Sequence, residues 1–354
     1  MTDLVDWDLA VATASRLGGG GPSVSPREAA DAVAELGRAA LSAEQHVTDF
    51  THLSAPDGVV HPPVRVVDRV DWARSNVAGF RTVLDPVVER LQRDRPEPSA
   101  VVKAVGSRIT GVQLGAVLSF LSSKVLGQFE VLSAPPGALL LVAPNIVAAE
   151  QTLRVIPSDF RLWVCIHEVT HRTQFTAVPW LREHFMSELQ DFIDASHPEE
   201  IKERLSAALS EVARVVRTRD GEASVLDIVQ SPEQKAVLAR LTALMTLVEG
   251  HAEYVMNGVG PMVVPSVQTI HERFGQRRQG TNIVDKAIRR LLGLDAKMRQ
   301  YAEGSVFVGA VVDRLGMDGF NAVWTSPQTL PTAAEIAHPD SWISRVQGGA
   351  PAAG

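Results

Sequence analysis

The chain has little of several features that point to particular classes of protein. It contains one cysteine among 354 residues, so it cannot form an internal disulfide and nothing requires an oxidising compartment. Basic residues are outnumbered, with 34 Lys and Arg against 41 Asp and Glu, and the net charge of −7 argues against a nucleic-acid or anionic-membrane surface. The first residues lack the basic and apolar segments of a secretory signal. We therefore predict a cytoplasmic protein that binds no nucleic acid.

No long uninterrupted hydrophobic run is present. The most apolar region, Ile109 to Leu132, is broken at short intervals by polar residues such as Gln113, Lys124 and Gln128. A membrane-spanning helix needs roughly 18 or more consecutive apolar residues, so this region predicts a closely packed buried helix and no membrane role. The overall composition, 45% hydrophobic and 21% charged, is that of an ordinary folded protein with a sizeable core.

The pattern of apolar residues predicts a mainly α (α+β) fold, a helical bundle with a small sheet. Between Gly- and Pro-rich loops, apolar residues recur every three to four positions, which is the period of amphipathic helices. A compact apolar run from Ala138 to Ala143 predicts a strand. We divide the chain into an N-terminal helical region (1–100), a core (101–333) and a loosely held C-terminal tail (334–354).

The stretch "FRLWVCIHEVTHRTQF" carries a His-Glu-x-x-His motif on a predicted helix. Ser158 is a suitable N-cap and Pro179 ends the periodic segment, so we expect a helix from about Asp159 to Thr176. His167 and His171 are separated by about 400° of helical rotation and therefore share one face, whereas Glu168 lies about 100° to the side. Two imidazoles at this spacing can bind one Zn²⁺, and the glutamate can act as general base towards a zinc-activated water.

The same histidines could instead lie on a polar helix face or form hydrogen bonds in the core without any metal. Their apolar flanks, including Trp163 and Phe175, predict a largely buried helix in which unpaired polar side chains are costly to desolvate. This favours a metal site. Cys165 faces away from the two histidines, which indicates a core residue and not a ligand.

A second predicted helix, from the Ser231 N-cap to Asn257-Gly258, offers a third ligand. Its apolar interior is interrupted by Glu249, His251 and Glu253. The two glutamates share a face, whereas His251 is about 200° from Glu249. We predict Glu249 as the ligand and Glu253 as a carboxylate that holds a ligand histidine by its other ring nitrogen. Reversed glutamate roles, His251 as ligand, and a salt bridge from Glu253 to Arg240 remain alternatives.

Two further groups are candidates for binding substrate. Tyr254, on the same predicted helix as Glu249, is a candidate catalytic donor to a developing oxyanion, and Tyr301 is another. The C-terminal third also contains a local group of arginines, which could be a solvated face or could bind a substrate carboxylate. Its members are Arg273, Arg277, Arg278, Arg289, Arg290 and Arg299.

Several stretches together resemble a mainly actinobacterial family of zincin-like hydrolases that is described as associated with coenzyme F420 biosynthesis. They include "DWDLA", "LLLVAPNIV", "HEVTHRTQFTAVPWL", "VEGHAEYVMNG" and "NAVWTSPQTLPT", spread over nearly the whole chain. The resemblance implies a mostly helical zincin-like fold with the sheet beside the His-Glu-x-x-His helix, and a zincin-like core at 101–333. It also implies that His167, His171 and Glu249 bind zinc, that Glu168 is the base, and that "GALLLVAPN" provides a sheet edge for an extended peptide. The alternative for this strand is that the side chains of Leu139 to Val142 only pack the core. The F420 label implies no F420 chemistry here.

The predicted function is therefore a zinc-dependent hydrolase, a metallopeptidase that cleaves a peptide or another amide substrate. The alternative is a non-catalytic zinc-binding helical scaffold or partner-binding protein. Structural zinc sites are usually closed by four protein ligands, whereas catalytic sites keep one position open, so the number of protein ligands distinguishes the two. The sequence predicts no particular oligomeric state.

Overall fold

The computed structural model describes residues 5–93, 100–195, 232–279 and 294–348, and within them the chain is mainly helical with one small sheet. This confirms the predicted fold class. The helices are α1 Trp7–Leu17, α2 Pro26–Thr51, α3 Arg69–Arg93, α4 Ala100–Ser122, α5 Ala143–Leu153, α6 Pro157–Ala177, α7 Pro179–Asp194, α8 Pro232–Val263, α9 Val267–Gln279, α10 Leu294–Phe320, α11 Ala333–Ala337 and α12 Pro339–Gln347. None of the described helices is long and apolar enough to cross a membrane.

The sheet has three strands, β1 Val64–Val67, β2 Gly127–Phe129 and β3 Leu139–Val142, in the order β1-β3-β2. β1 runs parallel and β2 antiparallel to the central β3. All four β3 side chains are buried, and they alternate between two apolar clusters on opposite faces of the sheet. Burial on both faces explains why this strand is continuously apolar in sequence.

The predicted strand is present, but it is not the peptide-binding edge that we expected. Both sides of β3 are occupied, because Leu139 pairs with Val64 on one side and with Phe129 on the other. A central strand has no free backbone groups for a further partner. In the described part of the chain the free edges belong to β1 and β2.

Helix α6 begins earlier than predicted. Pro157 occupies its first turn and Ile156 is the N-cap, so Ser158 lies inside the helix and does not cap it. Proline suits this position because its fixed φ is helical and its missing N–H would have no helical partner. Asp159 instead accepts hydrogen bonds from the backbone N–H and the hydroxyl of Ser266, at 2.9 and 2.6 Å. This tie fixes the start of α6 against the α8–α9 connection.

Helix α8 extends to Val263, beyond the predicted end at Asn257-Gly258, and its predicted cap Ser231 lies outside the described residues. Gly258 lies inside the helix and does not end it. Its role is to leave room for the ring of Phe50, because a Cβ at this position would lie 2.2 Å from that ring. The glycine therefore marks close contact with α2.

Helices α8 and α10 cross at unusually short range beside the candidate site. A Cβ added to Gly250 would lie 2.2 Å from the carbonyl carbon of Gly304, and one added to Gly304 would lie 2.2 Å from the carbonyl oxygen of Thr246. Only glycine allows two backbones to approach this closely. The Glu-Gly pair at 249–250 thus combines a polar side chain with a contact point between helices.

Residues 334–348 are not the loose tail that we predicted. They form α11 and α12, and the Trp342 side chain is fully buried against Phe307 and donates to the carbonyl oxygen of Thr329 at 2.8 Å. Arg345 pairs with Glu335 at 2.6 Å. The Ala- and Gly-rich composition of the end of the sequence suggested a loose segment. One buried aromatic side chain and one ion pair nevertheless hold this segment on the core.

The three-part division of the chain stays a prediction. The predicted N-terminal region nevertheless contributes directly to the core, because β1 pairs with β3 and α1 packs along α4.

Candidate metal centre

Two helices bring His167, His171 and Glu249 together. The histidines come from consecutive turns of α6, and their Nε2 atoms lie 3.2 Å apart. Glu249 approaches from α8, with its Oε2 atom 3.6 Å from Nε2 of His167 and 3.7 Å from Nε2 of His171. One donor atom from each residue lies within 4.8 Å of the other two, so this group could hold a metal ion.

The donor set and its spacing fit zinc. Two imidazole nitrogens and one carboxylate oxygen are a common ligand set of catalytic zinc. With ligand distances of about 2.0 to 2.2 Å, tetrahedral geometry separates neighbouring donors by roughly 3.3 to 3.5 Å. The observed separations of 3.2, 3.6 and 3.7 Å are close to this spacing. The side chains are also accessible, since those of His167 and Glu249 are each 25% exposed.

His171 and Glu249 each favour the charged form of the other. Burial lowers the pKa of His171, but the carboxylates of Glu249 and Glu168 outweigh burial and raise this pKa to about 9. Burial alone would raise the pKa of Glu249, yet His171 and His167 hold that pKa well below its ordinary value. Without metal, a protonated His171 therefore faces an ionised Glu249.

Glu168 lies beside this group, packed against strand β2. Its side chain is buried, and burial raises the pKa of its carboxyl although the two histidines act in the opposite direction. A Cβ at Gly127 would lie 2.5 Å from Cδ of Glu168. The carboxyl group is thus held between the histidine-bearing helix and the backbone of an edge strand, where only glycine leaves room for it.

Sequence reasoning missed Gln174, which connects the site to a buried histidine. Gln174 lies three residues after His171 on α6, and its Oε1 atom is 3.1 Å from Nδ1 of His171. Its Nε2 atom donates to the carbonyl oxygen of Val248 at 2.8 Å and lies 2.9 Å from Nδ1 of His251. A spacing of three residues places two helical side chains next to each other, so this signal was available in the sequence.

His251 is fully buried and does not belong to the group of converging donor atoms. Its ring stacks on Phe320 and meets Trp324 edge-on, and burial together with His171 lowers its pKa to about 3. His251 is therefore a neutral core residue, and the structure does not place it as a ligand.

The predicted supporting roles of Glu253 and Tyr254 find no matching contacts. Among the described residues Glu253 makes no hydrogen bond or ion pair with either candidate ligand histidine, and Arg240 pairs with Glu188 instead. Tyr254 lies about 140° around α8 from Glu249. It packs near Phe50, and burial, with Asp313, raises the pKa of its phenol. Gln174 occupies the position beside His171 that we had assigned to Glu253.

The remaining sequence candidates lie elsewhere. Cys165 is buried in the core as expected, and burial raises the pKa of its thiol. Arg273 donates to the carbonyl oxygens of Leu153 and Arg154, which ties α9 to the end of α5. The other arginines of that group and Tyr301 lie outside the residues whose side chains are described.

Comparison with known proteins identifies the family of the chain. The family model of the zincin-like metallopeptidases matches residues 5–343, and the chain belongs to this family. A crystal structure from Chloroflexus aurantiacus, described as a candidate hydrolase with a novel fold, is 32% identical in sequence. The match covers 97% of this chain and 99% of that one, with a TM-score of 0.70. No curated protein matches the chain. Neither comparison mentions coenzyme F420, so that association stays an expectation.

Proposed function

We propose that the protein is a zinc-dependent hydrolase, a metallopeptidase that cleaves amide bonds, with His167, His171 and Glu249 as the zinc ligands. The observation that carries the proposal is the convergence of two imidazole nitrogens and one carboxylate oxygen beside a buried carboxyl group. Membership of the zincin-like metallopeptidase family supports it.

In this proposal Glu168 is the general base. A bound zinc ion would supply a Lewis acid that polarises the scissile carbonyl and lowers the pKa of water. The Glu168 carboxylate takes a proton from the attacking water and then delivers it to the leaving amine nitrogen. Burial suits this role, because a raised carboxyl pKa brings proton affinity closer to that needed near neutral pH. Tyr254 is not included, since its contacts lie away from the ligands.

The substrate would lie in extended form along β2 instead of β3. β2 is an edge strand, and its Gly127 contacts Glu168, so a chain paired with this edge would pass in front of the base. Backbone pairing at a sheet edge binds extended peptides with little dependence on sequence, while the neighbouring side chains select among them. This arrangement favours a peptide over a compact amide.

The number of donors favours catalysis over a structural zinc site. Within the described ranges the candidate group contains three protein ligands, and catalytic zinc sites typically use three while structural sites use four. A scaffold would also have no need for a buried carboxyl group beside the ligands.

Paired substitutions test the proposal. Elemental analysis should find about one zinc per wild-type chain, and little zinc in His167→Ala, His171→Ala or Glu249→Ala. Glu168→Gln should keep its zinc but lose hydrolysis of a peptide identified with wild-type protein from a fluorogenic library. Glu253→Gln is the matched control on the neighbouring helix and should keep both properties.

Two results would contradict the proposal. Unchanged zinc content in all three ligand variants would show that these residues do not bind zinc. Wild-type turnover by Glu168→Gln would show that Glu168 is not the base, and it would not affect the assignment of the metal ligands.

A further inference from the structure

The side-chain amide of Gln174 is a buried junction between α6 and α8. Gln174 is fully buried, and its amide contacts His171, His251 and the carbonyl oxygen of Val248. All three separations are 3.1 Å or less, so each is a normal hydrogen-bond distance. A buried glutamine whose amide oxygen and nitrogen both have hydrogen-bond partners keeps one orientation, because rotation of the amide group would leave its polar atoms without partners.

The network assigns the direction of each hydrogen bond. The carbonyl of Val248 can only accept, so the amide nitrogen of Gln174 must face it and the amide oxygen must face His171. An amide oxygen only accepts, which requires a proton on Nδ1 of His171. In the neutral ring the lone pair is then on Nε2, the atom directed at His167 and Glu249.

His251 completes the arrangement. The second proton of the Gln174 amide nitrogen points to Nδ1 of His251, which accepts it. The ring of His251 is itself fixed between Phe320 and Trp324. The histidine inside the Glu-Gly-His sequence thus anchors the amide that orients a candidate ligand.

The two candidate ligands differ in this respect. Among the described residues Nδ1 of His167 is buried without a hydrogen-bond partner, whereas Nδ1 of His171 is held by Gln174. Of these two candidate ligands, only His171 is therefore fixed in both tautomer and ring orientation by a hydrogen bond to a described residue.

We infer that Gln174, anchored by Val248 and His251, is a positioning residue that holds His171 in the tautomer able to bind metal. The inference rests on the proposed zinc site. Hydrogen-bond partners of ligand histidines commonly change metal affinity by roughly 10 to 100-fold when they are removed.

The test compares two substitutions at the same position. Gln174→Met keeps the length of the side chain but cannot accept from His171, and it should weaken zinc binding by roughly 10 to 100-fold. Gln174→Glu keeps an acceptor for His171 but loses the donor to Val248, so it should bind zinc nearly as tightly as wild type. Gln190→Met, at a helical glutamine that bonds Asp194 on α7, is the matched control and should have no effect on affinity.

Zinc affinity is measured by competition with a chromophoric chelator, and the stability of each metal-free variant by thermal unfolding. Both Gln174 variants should lose stability, because both break the bond to Val248, yet only Gln174→Met should lose zinc affinity. Equal zinc affinity in the two variants, whether reduced or unchanged, would overturn the positioning role. Absence of zinc binding by the wild type would instead overturn the proposed function.

Discussion

Replacing Gly250 by alanine should destabilise the protein, although the same change stabilises most helices. Alanine exceeds glycine in helix propensity by about 1 kcal/mol. At position 250, however, the new Cβ would lie 2.2 Å from the carbonyl carbon of Gly304 and 2.6 Å from the backbone nitrogen of Ser305. Carbon atoms in ordinary contact are about 3.5 to 4.0 Å apart. Both obstacles are backbone atoms, so α8 and α10 would have to separate by more than about 1 Å.

The magnitude follows from opposing terms. Overpacking of a tight contact costs about 1 to 3 kcal/mol, and this case belongs at the upper end because no flexible side chain can move aside. Separation would also loosen the apolar cluster to which α8 contributes Leu244, Leu247 and Val248 and α10 contributes Phe307 and Val308. After the gain in helix propensity, we expect a net loss of about 2 kcal/mol in the free energy of unfolding.

Urea unfolding of the metal-free protein, followed by circular dichroism, measures this loss. Gly37→Ala is the matched control, because Gly37 lies within α2 and a Cβ there meets nothing within 4 Å. That variant should gain up to about 1 kcal/mol, so the two alanines should change stability in opposite directions. Zinc affinity should fall only in Gly250→Ala, because Glu249 moves with α8. A Gly250→Ala protein as stable as wild type would refute the reasoning.

Three further outcomes are expected. Gly127→Ala should displace Glu168, whose Cδ would lie 2.5 Å from the new Cβ, and should reduce hydrolysis of a wild-type peptide substrate by roughly 100-fold while zinc content stays unchanged; undiminished turnover would contradict this. Because the pKa of His171 is raised to about 9, zinc binding near pH 7 should release at least about one proton, measured by calorimetry in buffers of different ionisation enthalpy, and heats independent of the buffer would exclude it. Burial raises the pKa of Glu335, but hydrogen bonds from Arg345 and Thr332 outweigh burial and lower this pKa below its ordinary value. The ionised carboxylate therefore stabilises the fold fully at pH values above the ordinary pKa, and this stabilisation is lost as the pH falls through the lowered pKa of the folded state. Glu335→Gln should accordingly cost about 2 kcal/mol at pH 7, and less in acid, by urea unfolding; a deficit that is constant with pH would contradict the assignment.

The sequence predicted those parts of the site that depend on one helix at a time. The spacing of His167 and His171 fixes their common face wherever the helix packs, and the same geometry places Glu249 and Glu253 on one face with His251 nearly opposite. The choice of Glu249 also relied on the family resemblance. The contacts of Gln174 depend on how α6 meets α8, which helical angles alone do not give. The fold class could be predicted correctly because apolar periodicity is a property of each helix or strand by itself.

Several wrong predictions came from a residue type or a composition that occurs in more than one kind of structure. Gly258 was taken as a helix terminator, but it admits the ring of Phe50 inside a continuous helix. Ser158 was taken as the cap of a helix that starts at Asp159, but the helix starts two positions earlier, at Pro157, and Ile156 is its cap. The C-terminal segment looked loose from composition, whereas the burial of Trp342 holds it in place. For Gly258 and Trp342 the outcome depended on a tertiary neighbour that lies far away in sequence, whereas for Ser158 it depended on the adjacent proline.

The division of the candidate ligands between α6 and α8 has a consequence for how the protein would acquire its metal. During synthesis the two histidines leave the ribosome well before the glutamate, and two imidazoles alone are an incomplete site. A chain that has not docked α8 against α6 would therefore release zinc to any competing chelator. In the proposed function tight zinc binding therefore follows the docking of α8 against α6, and each zinc ion retained by a purified sample would mark a molecule in which the two helices have docked.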